Sequence, residues 1–301
     1  MGGPDRRQPM DEQMTHMFKQ KGCRFCVGEM TKVVLPRPGF KVRQCLCCGV
    51  MWTDPLRFDE VFQKSDENAY LQVSSIVSKD NTERLREIKR YAHPCYYNTL
   101  LEIGFMHGNF LCHARQIGYK VHGLDLSESA VSVAGAKLGN CVEQGTLDET
   151  YPHNSVDIVA AFNVIEHMNA PDIFLNNVKR VLKPGGLLVL ETPSQESLYH
   201  YIMFLRGRID PDKKIEIGLY PGGHMFKFGK KAWRNILSKR GYTVVHSTPR
   251  STSIKELLEK KKSSDTATRI GIAIFGILGR MLGLGNRIFV IARHLKTGFR
   301  A

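Results

Sequence analysis

The amino-acid sequence predicts an α/β protein: a doubly wound sheet of parallel strands, with a small cysteine-bearing module ahead of it. Three observations lead there. From residue 98 onward, short apolar strand-like runs alternate with helical stretches. A carboxylate, Asp125, stands at the end of the second such run, 21 residues past Gly104 in a strand-to-helix turn. Four cysteines near the start form two C-x2-C pairs.

The cysteine pairs come first. Cys23 and Cys26 are followed after eighteen residues by Cys45 and Cys48, with Gly49 behind the last. This is zinc-ribbon spacing: two short turns each present two thiolates, and the strands TKVVLPRP and FKVRQC bring the turns together. Four sulfurs close the shell and leave no position for substrate, so the expected zinc is structural. Cys47 is a spare thiol, and reduced cysteines packed as small hydrophobes are the alternative. Residues 1–60 therefore read as a zinc-ribbon-like module. Residues 61–97 read as a helical connector, with a helix over 66–93.

From residue 98 the strands are TLLEIG, YKVHGLD, NCVEQG, SVDIVAAFN and GLLVLETP. The helices between them are NFLCHARQIG, SESAVSVAGAKLG and PDIFLNNVKRVLK. LKPGG at 182–186 stops the last helix, because Pro184 forbids continuation and the two glycines turn the chain. Alternation then breaks over 195–227, a span too long for an ordinary connection and expected to be a lid insertion. A helix (KKAWRNILSKRG), a strand (YTVVHS), a basic helical stretch and a closing strand (NRIFVIARH) complete the 98–301 domain.

Composition narrows the class. The chain has 301 residues, 42% of them hydrophobic, enough to fill a core. The opening residues are polar, and the longest apolar stretch, IGIAIFGILG, is too short to span a bilayer, so a cytoplasmic protein with reduced cysteines is expected. Residues 227–301 hold 17 Lys/Arg against 3 Asp/Glu, so the whole net charge of +14 belongs to that region. This asymmetry suggests an anionic partner there, with a solvated basic face as the plain alternative. RIGIAIFGILGRMLGLGNR intersperses apolar residues with Arg269, Arg280 and Arg287, a pattern suited to lying peripherally on an anionic membrane surface or to packing on the sheet.

Ligands of open α/β sheets sit beyond the carboxyl ends of the strands, where strand order reverses. The turn after the first strand, LLEIGFMHGNFL, is expected there. Gly104 and Gly108 supply backbone freedom and close approach. Asp125 can accept both hydroxyls of a ribose, or serve as a partner for the helix that begins at Ser127.

LLEIGFMHGNFL, GLDLSESAV, SVDIVAAFNVIEHM, LKPGGLLVLETP and GGHMFKFGKKAWRNILSKRGYTVV, in this order and at these distances, resemble class I S-adenosylmethionine-dependent methyltransferases. The resemblance is to the branch with an EHM or EHL motif after the fourth strand, which includes ubiquinone-type O-methyltransferases. Several members also begin with a C-x2-C, C-x2-C-G ribbon followed by an aromatic and Asp-Pro or Asn-Pro, matched here by CLCCGVMWTDP. The resemblance implies a Rossmann-like, mostly parallel seven-stranded sheet with an antiparallel last strand, and S-adenosylmethionine as cofactor. By position, it implies that Glu102, Gly104 and Gly108 shape the pocket for the methionine part, that Asp125 holds the ribose and that Leu126 lies against the adenine. Gly145, Thr146 and Leu147 would reach the adenine edge, and Phe162 and Asn163 would line the site near the sulfonium. Two positions depart from the pattern. Met106 replaces the middle glycine, which is tolerable if its backbone keeps ordinary angles and its side chain points outward. Thr146 replaces an acid, and its hydroxyl still accepts a hydrogen bond.

Methyl transfer requires positioning of the nucleophile and, for a hydroxyl, removal of its proton. His167 and His224 are the candidate bases, and Glu166 is expected to orient its neighbours. The expected acceptor is a hydroxyl or carbon of a small-molecule, sugar or lipid-linked substrate. FNVI stands where enzymes methylating exocyclic amines of bases carry Asn/Asp-Pro-Pro-aromatic, which disfavours nucleic acid. A ribosomal RNA methyltransferase with a zinc finger is the first alternative, and a non-catalytic pseudo-methyltransferase is the second.

Overall fold

The computed structural model describes residues 22–26, 28–37, 39–54, 56, 74–148, 151–209, 225–252 and 266–295. In chain order the elements are β1 (Thr31–Arg37), β2 (Phe40–Cys45), β3 (Met51–Asp54), α1 (Ser74–Tyr91), β4 (Thr99–Ile103), α2 (Asn109–Gln116), β5 (Lys120–Asp125), α3 (Glu128–Leu138) and β6 (Val142–Gln144). They continue as β7 (Val156–Phe162), α4 (Pro171–Val181), β8 (Leu182–Pro193), α5 (Leu198–Ile209), β9 (Phe226–Lys227), α6 (Lys230–Ser238), β10 (Tyr242–Arg250), α7 (Thr266–Met281) and β11 (Arg287–His294).

The main sheet has seven strands in the order β10-β11-β8-β7-β4-β5-β6. β6, β5, β4, β7 and β8 run parallel, and β11 inserts antiparallel to both β8 and β10. The doubly wound sheet and its antiparallel last strand are as expected from the sequence. Strand order reverses between β4 and β7, which places a crevice at their carboxyl ends. Parallel strands covered on both faces are mostly apolar, and every residue of β7 is buried, with Asp157 the one charged member. Successive residues serve opposite faces: Leu100 joins Ile88, Phe110 and Leu111 on one side, and Leu101 joins Leu175, Val178 and Trp233 on the other.

Local chemistry explains the helix ends. Ser127 caps α3 by accepting from Ala130 N at 3.2 Å. Pro171 opens α4, with Asp172 in its first turn and Lys179 and Arg180 in its last. α4 stops at Val181, and LKPGG does not turn away but continues as the start of β8. It bulges there: Val156 pairs with Leu182 while Ile158 pairs with Leu187, and Gly185 takes φ 85°.

The cysteine module forms a second sheet, β1-β2-β3-β9, whose last strand comes from the far end of the expected lid. That insertion opens as α5 and closes as β9; residues 210–224 lie outside the described residues. Phe25, between the first two cysteines, meets Phe226, Phe228 and Trp233 edge-on at centroid distances of 5.0, 5.1 and 6.3 Å. Phe228 stacks on Trp233 at 4.3 Å, and the Trp233 indole N–H reaches Thr192 Oγ1 at 3.1 Å. Aromatic packing of this kind makes the ribbon part of the same core as the large sheet. Trp233→Ala is therefore expected to cost about 3–5 kcal/mol in a denaturant titration. It should lower together the unfolding midpoints read from thiol accessibility near the cysteines and from far-UV ellipticity; separate midpoints would contradict a shared core.

Candidate active site and cysteine centre

The turn after β4 is tightly determined. Gly104 has φ 72° and donates to Leu124 O at 2.8 Å, and a Cβ on it would fall 2.6 Å from Val164 Cγ2. Gly108, at φ 66°, precedes α2 where a Cβ would meet Leu138 Cδ1 at 2.7 Å and Ala134 Cβ at 2.9 Å. A side chain at either position would therefore be strained by the backbone angle and crowded by its neighbours. Met106 departs from expectation in one respect. Its side chain is half exposed, as expected, but its backbone is left-handed at φ 50°. The physical reason lies in Asp125: this conformation aims the Met106 N–H at Asp125 Oδ2, 2.9 Å away. A left-handed non-glycine residue costs about 1–2 kcal/mol, and the charge-assisted bond offsets it.

Asp125 also accepts from Ser127 N through Oδ1 at 3.0 Å, so one carboxylate ties the turn to the start of α3. Glu102, one strand over, is buried, and its Oε2 has no hydrogen-bond partner among the described residues. Burial pushes its carboxyl up to about 8, against the pull of Arg84 and with the push of Asp125. Leu126 is 72% exposed at the same edge, and Thr146 is exposed beside Gly145, which donates to Asp125 O at 2.9 Å. Leu147 turns its side chain into the core, which leaves only its backbone for a ligand. The Phe162 ring is likewise committed, edge-on to Phe110 at 4.8 Å and covered by the Arg84 guanidinium at 4.3 Å. Asn163, exposed and left-handed at φ 54°, is the residue that β7 presents at its end.

Two clusters at this edge join residues far apart in the chain. In the first, Glu191 of β8 is fully buried and bonds Arg84 Nη2 and Arg287 Nη1, each at 2.6 Å. Arg250 lies 3.8 Å away, and Arg287 also bonds Asp80 at 2.8 Å. Despite the cost of burial, the arginines hold the Glu191 carboxyl down to about 2. In the second, Glu166 is fully buried with neither oxygen hydrogen-bonded among the described residues, and His167 Nε2 stands 3.9 Å from Oε1. Met225 N donates to Glu166 O at 3.2 Å and brings in β9, with buried Lys227 and, from α5, buried His200. Burial raises the Glu166 carboxyl and lowers Lys227 and His200, the last to about 3. Sequence reasoning missed Lys227, His200, Arg84 and Glu191. The available signal was a charge inside an apolar run, as in FKF and VLETP. His224 lies outside the described residues. A cleft of about 370 Å³ beside Thr99, His122 and Tyr151 opens at the opposite edge of the sheet, away from these groups.

The four cysteines converge. Cys23 and Cys48 have sulfurs 3.6 Å apart, Cys26 and Cys45 3.4 Å apart, and all four lie within 4.8 Å of one another. The amides of Phe25 and Cys48 point at the sulfurs of Cys23 and Cys45, each at 3.4 Å, and Gly49 supplies the turn at φ 90°. Four thiolates at about 2.3 Å from a zinc ion would stand some 3.8 Å apart, so the donor set fits tetrahedral zinc. Cys47 is exposed and outside the tetrad.

The sheet, its switch point and the glycine turn define a class, and the family comparison agrees: residues 66–247 match the model described as "Methyltransferase domain", and the chain belongs to that family. Among curated relatives, a probable S-adenosylmethionine-dependent methyltransferase of Mycolicibacterium smegmatis is 34% identical over 125 residues, 41% of this chain and 46% of that protein. A ubiquinone biosynthesis O-methyltransferase of a Bradyrhizobium species is 38% identical over 103 residues, 31% of this chain and 39% of that protein. The matched stretch thus spans less than half the length of each relative. The solved YcgJ protein from Bacillus subtilis shares the fold, with a TM-score of 0.50 at 16% identity over 72% of this chain and all of that one.

Two outcomes follow from this geometry. The folded state keeps a proton on Glu102 up to about pH 8, whereas an unfolded carboxyl releases it near 4.5, so folded stability falls as pH rises across that interval. Glu102→Gln should raise the melting temperature of the ligand-free protein, by a margin that grows from about pH 5 to pH 8; a pH-independent margin would contradict the assignment. For the cysteines, Cys45→Ser should abolish stoichiometric zinc in elemental analysis and destabilise the chain by several kcal/mol. Retention of zinc by that variant would remove the tetrad as the metal site.

Proposed function

We propose that this chain is an S-adenosylmethionine-dependent methyltransferase acting on a hydroxyl or carbon of a small-molecule, sugar or lipid-linked acceptor. The observation that carries the reading is the bond from Met106 N to Asp125 Oδ2, which joins the glycine turn to an acid at the switch point of the sheet. Each Asp125 oxygen spends one lone pair on a backbone amide and keeps one for a ribose hydroxyl. The partnerless Oε2 of buried Glu102 suits the cofactor's ammonium, which would supply the bond it lacks. Leu126, Thr146 and the backbone of Leu147 would border the adenine, and Asn163 would face the reacting end. The cofactor, when bound, supplies an electrophilic methyl group on a sulfonium.

The chain's own task is then to hold the acceptor and take its proton. His167 and His224 are proposed for that role, and Lys227 joins them. Burial lowers Lys227 toward neutrality, so a neutral amine becomes accessible near physiological pH, with Glu166 beside it. The O-methyltransferase named for the Bradyrhizobium relative supports an oxygen acceptor. Zinc in the cysteine tetrad is proposed as structural, since four sulfurs leave it no open position. Among the described residues no helix is long and apolar enough to cross a membrane.

Calorimetry with S-adenosylhomocysteine tests the reading. Binding is expected for the full chain, with a loss of about 10- to 100-fold in Asp125→Ala from the two missing charged hydrogen bonds. Absence of binding heat in the wild-type protein, with the fold intact, would favour a pseudo-methyltransferase. Once an acceptor is in hand, His167→Gln and Lys227→Met should separate the bases: loss of the true base lowers kcat by about 10²- to 10⁴-fold and leaves S-adenosylhomocysteine affinity unchanged.

A further inference from the structure

We infer that the outward faces of α5 and α7 form one platform that docks on a lipid bilayer carrying anionic headgroups. The described side chains of α7 are arranged inside out. Ile274, Phe275, Ile277, Leu278 and Met281 fall on one helical stripe, and all are 40% exposed or more. Among the described side chains its inward positions are small: Ala273 and Gly276 are partly covered, and Gly279 is buried where a Cβ would sit 3.7 Å from Leu198 Cβ and 3.1 Å from Leu284 O. A water-facing helix puts its large apolar side chains inward, and glycines inside a helix weaken it. Both departures make sense if the large residues meet a second apolar phase.

α5 repeats the pattern beside it. Leu205 and Ile209 are 61% and 75% exposed, and Tyr201 stands outward as an amphipathic ring suited to a headgroup layer. Exposed apolar side chains clustered on two helices that pack together exceed what isolated surface residues account for. The charge names the occupant. The entire net charge of +14 lies in residues 227–301, which contain α7, and Arg208 and Arg280 are exposed on the two helices themselves. An apolar face whose helices expose Arg208 and Arg280 matches an anionic bilayer surface, with the helices lying in its plane, since no described helix is able to cross it.

The platform bears on the candidate site because α5 has two sides. His200 points inward beside Lys227, while Tyr201 points out. An acceptor carried in the bilayer would thus meet the site across a single helix; this consequence rests on the proposed function, whereas the docking does not.

Sedimentation of the full, zinc-loaded chain with vesicles tests it. The wild-type protein should pellet with vesicles of phosphatidylglycerol and phosphatidylcholine, more weakly as salt is raised and weakly with phosphatidylcholine alone. The double variant Ile277→Asp/Leu278→Asp should lose about tenfold or more in vesicle affinity. Leu205→Asp/Ile209→Asp on α5 repeats the test on a second helix should the first pair fail to fold. Equal pelleting of wild type and both variants overturns the proposal. So does a lipid-free dimer in light scattering that the variants dissolve, because the face would then belong to a second copy. S-adenosylhomocysteine binding should be unchanged in the variants, so failure of docking and failure of the methyltransferase reading register in different measurements.

Discussion

One carboxylate organises the candidate site. Asp125 accepts from Met106 in the turn after β4 and from Ser127 at the cap of α3, and so joins the ends of two neighbouring strands to two helix starts. The turn meets it halfway by taking left-handed angles at residues 104, 106 and 108, one of them at a methionine. A left-handed methionine is retained only where surrounding bonds over-determine it, and such strain concentrates where a ligand must meet backbone closely. Everything proposed for the cofactor follows from this shape: a turn pulled down onto the sheet, with an acid beside it that still has accepting capacity.

The acids at the strand ends differ in their surroundings, and those differences separate their functions. Glu191 is ringed by Arg84, Arg250 and Arg287 and stays ionised, a fixed strut that ties α1 and the two strands farthest from β6 to the middle of the sheet. Glu102 and Glu166 are as deeply buried without such a ring of arginines; Arg84 acts on the first and Lys227 and His167 stand near the second, and burial still holds their protons on. A paired buried carboxylate serves structure, whereas an unsatisfied one is stable only where a ligand or a proton completes it. The ribbon adds to this edge from the other side. Phe25 docks on Phe226, Phe228 and Trp233, and the strand they anchor places Lys227 next to Glu166. The cysteine ribbon thereby acts on the position of a titratable lysine.

Much of this is legible in the sequence. Strand alternation, helix caps and C-x2-C spacing are local patterns, so the doubly wound sheet, the glycine turn, Asp125 and the cysteine tetrad are all readable from residues near one another. What escapes is long-range or conformational. Arg84 and Glu191 meet across 107 positions, and Lys227 reaches Glu166 only because β9 joins the ribbon sheet. Met106 was compatible with ordinary angles as a residue type, but the pull of the Asp125 carboxylate on its N–H decides otherwise. Leu147 and Phe162 lie at the right strand ends for a ligand, yet the direction of their side chains, one into the core and one beneath Arg84, depends on packing that spacing alone does not encode. LKPGG reads as a turn, and its bulged pairing with β7 appears only once the neighbouring strand is present.

A crystal structure of the full chain with S-adenosylhomocysteine tests the central claim most directly. The account predicts the ribose hydroxyls on the two oxygens of Asp125 and the amino group on Glu102 Oε2, with the Met106–Asp125 bond intact. A nucleoside bound elsewhere, or a crevice filled by the Met106 thioether while the ligand is absent from Asp125, would contradict it.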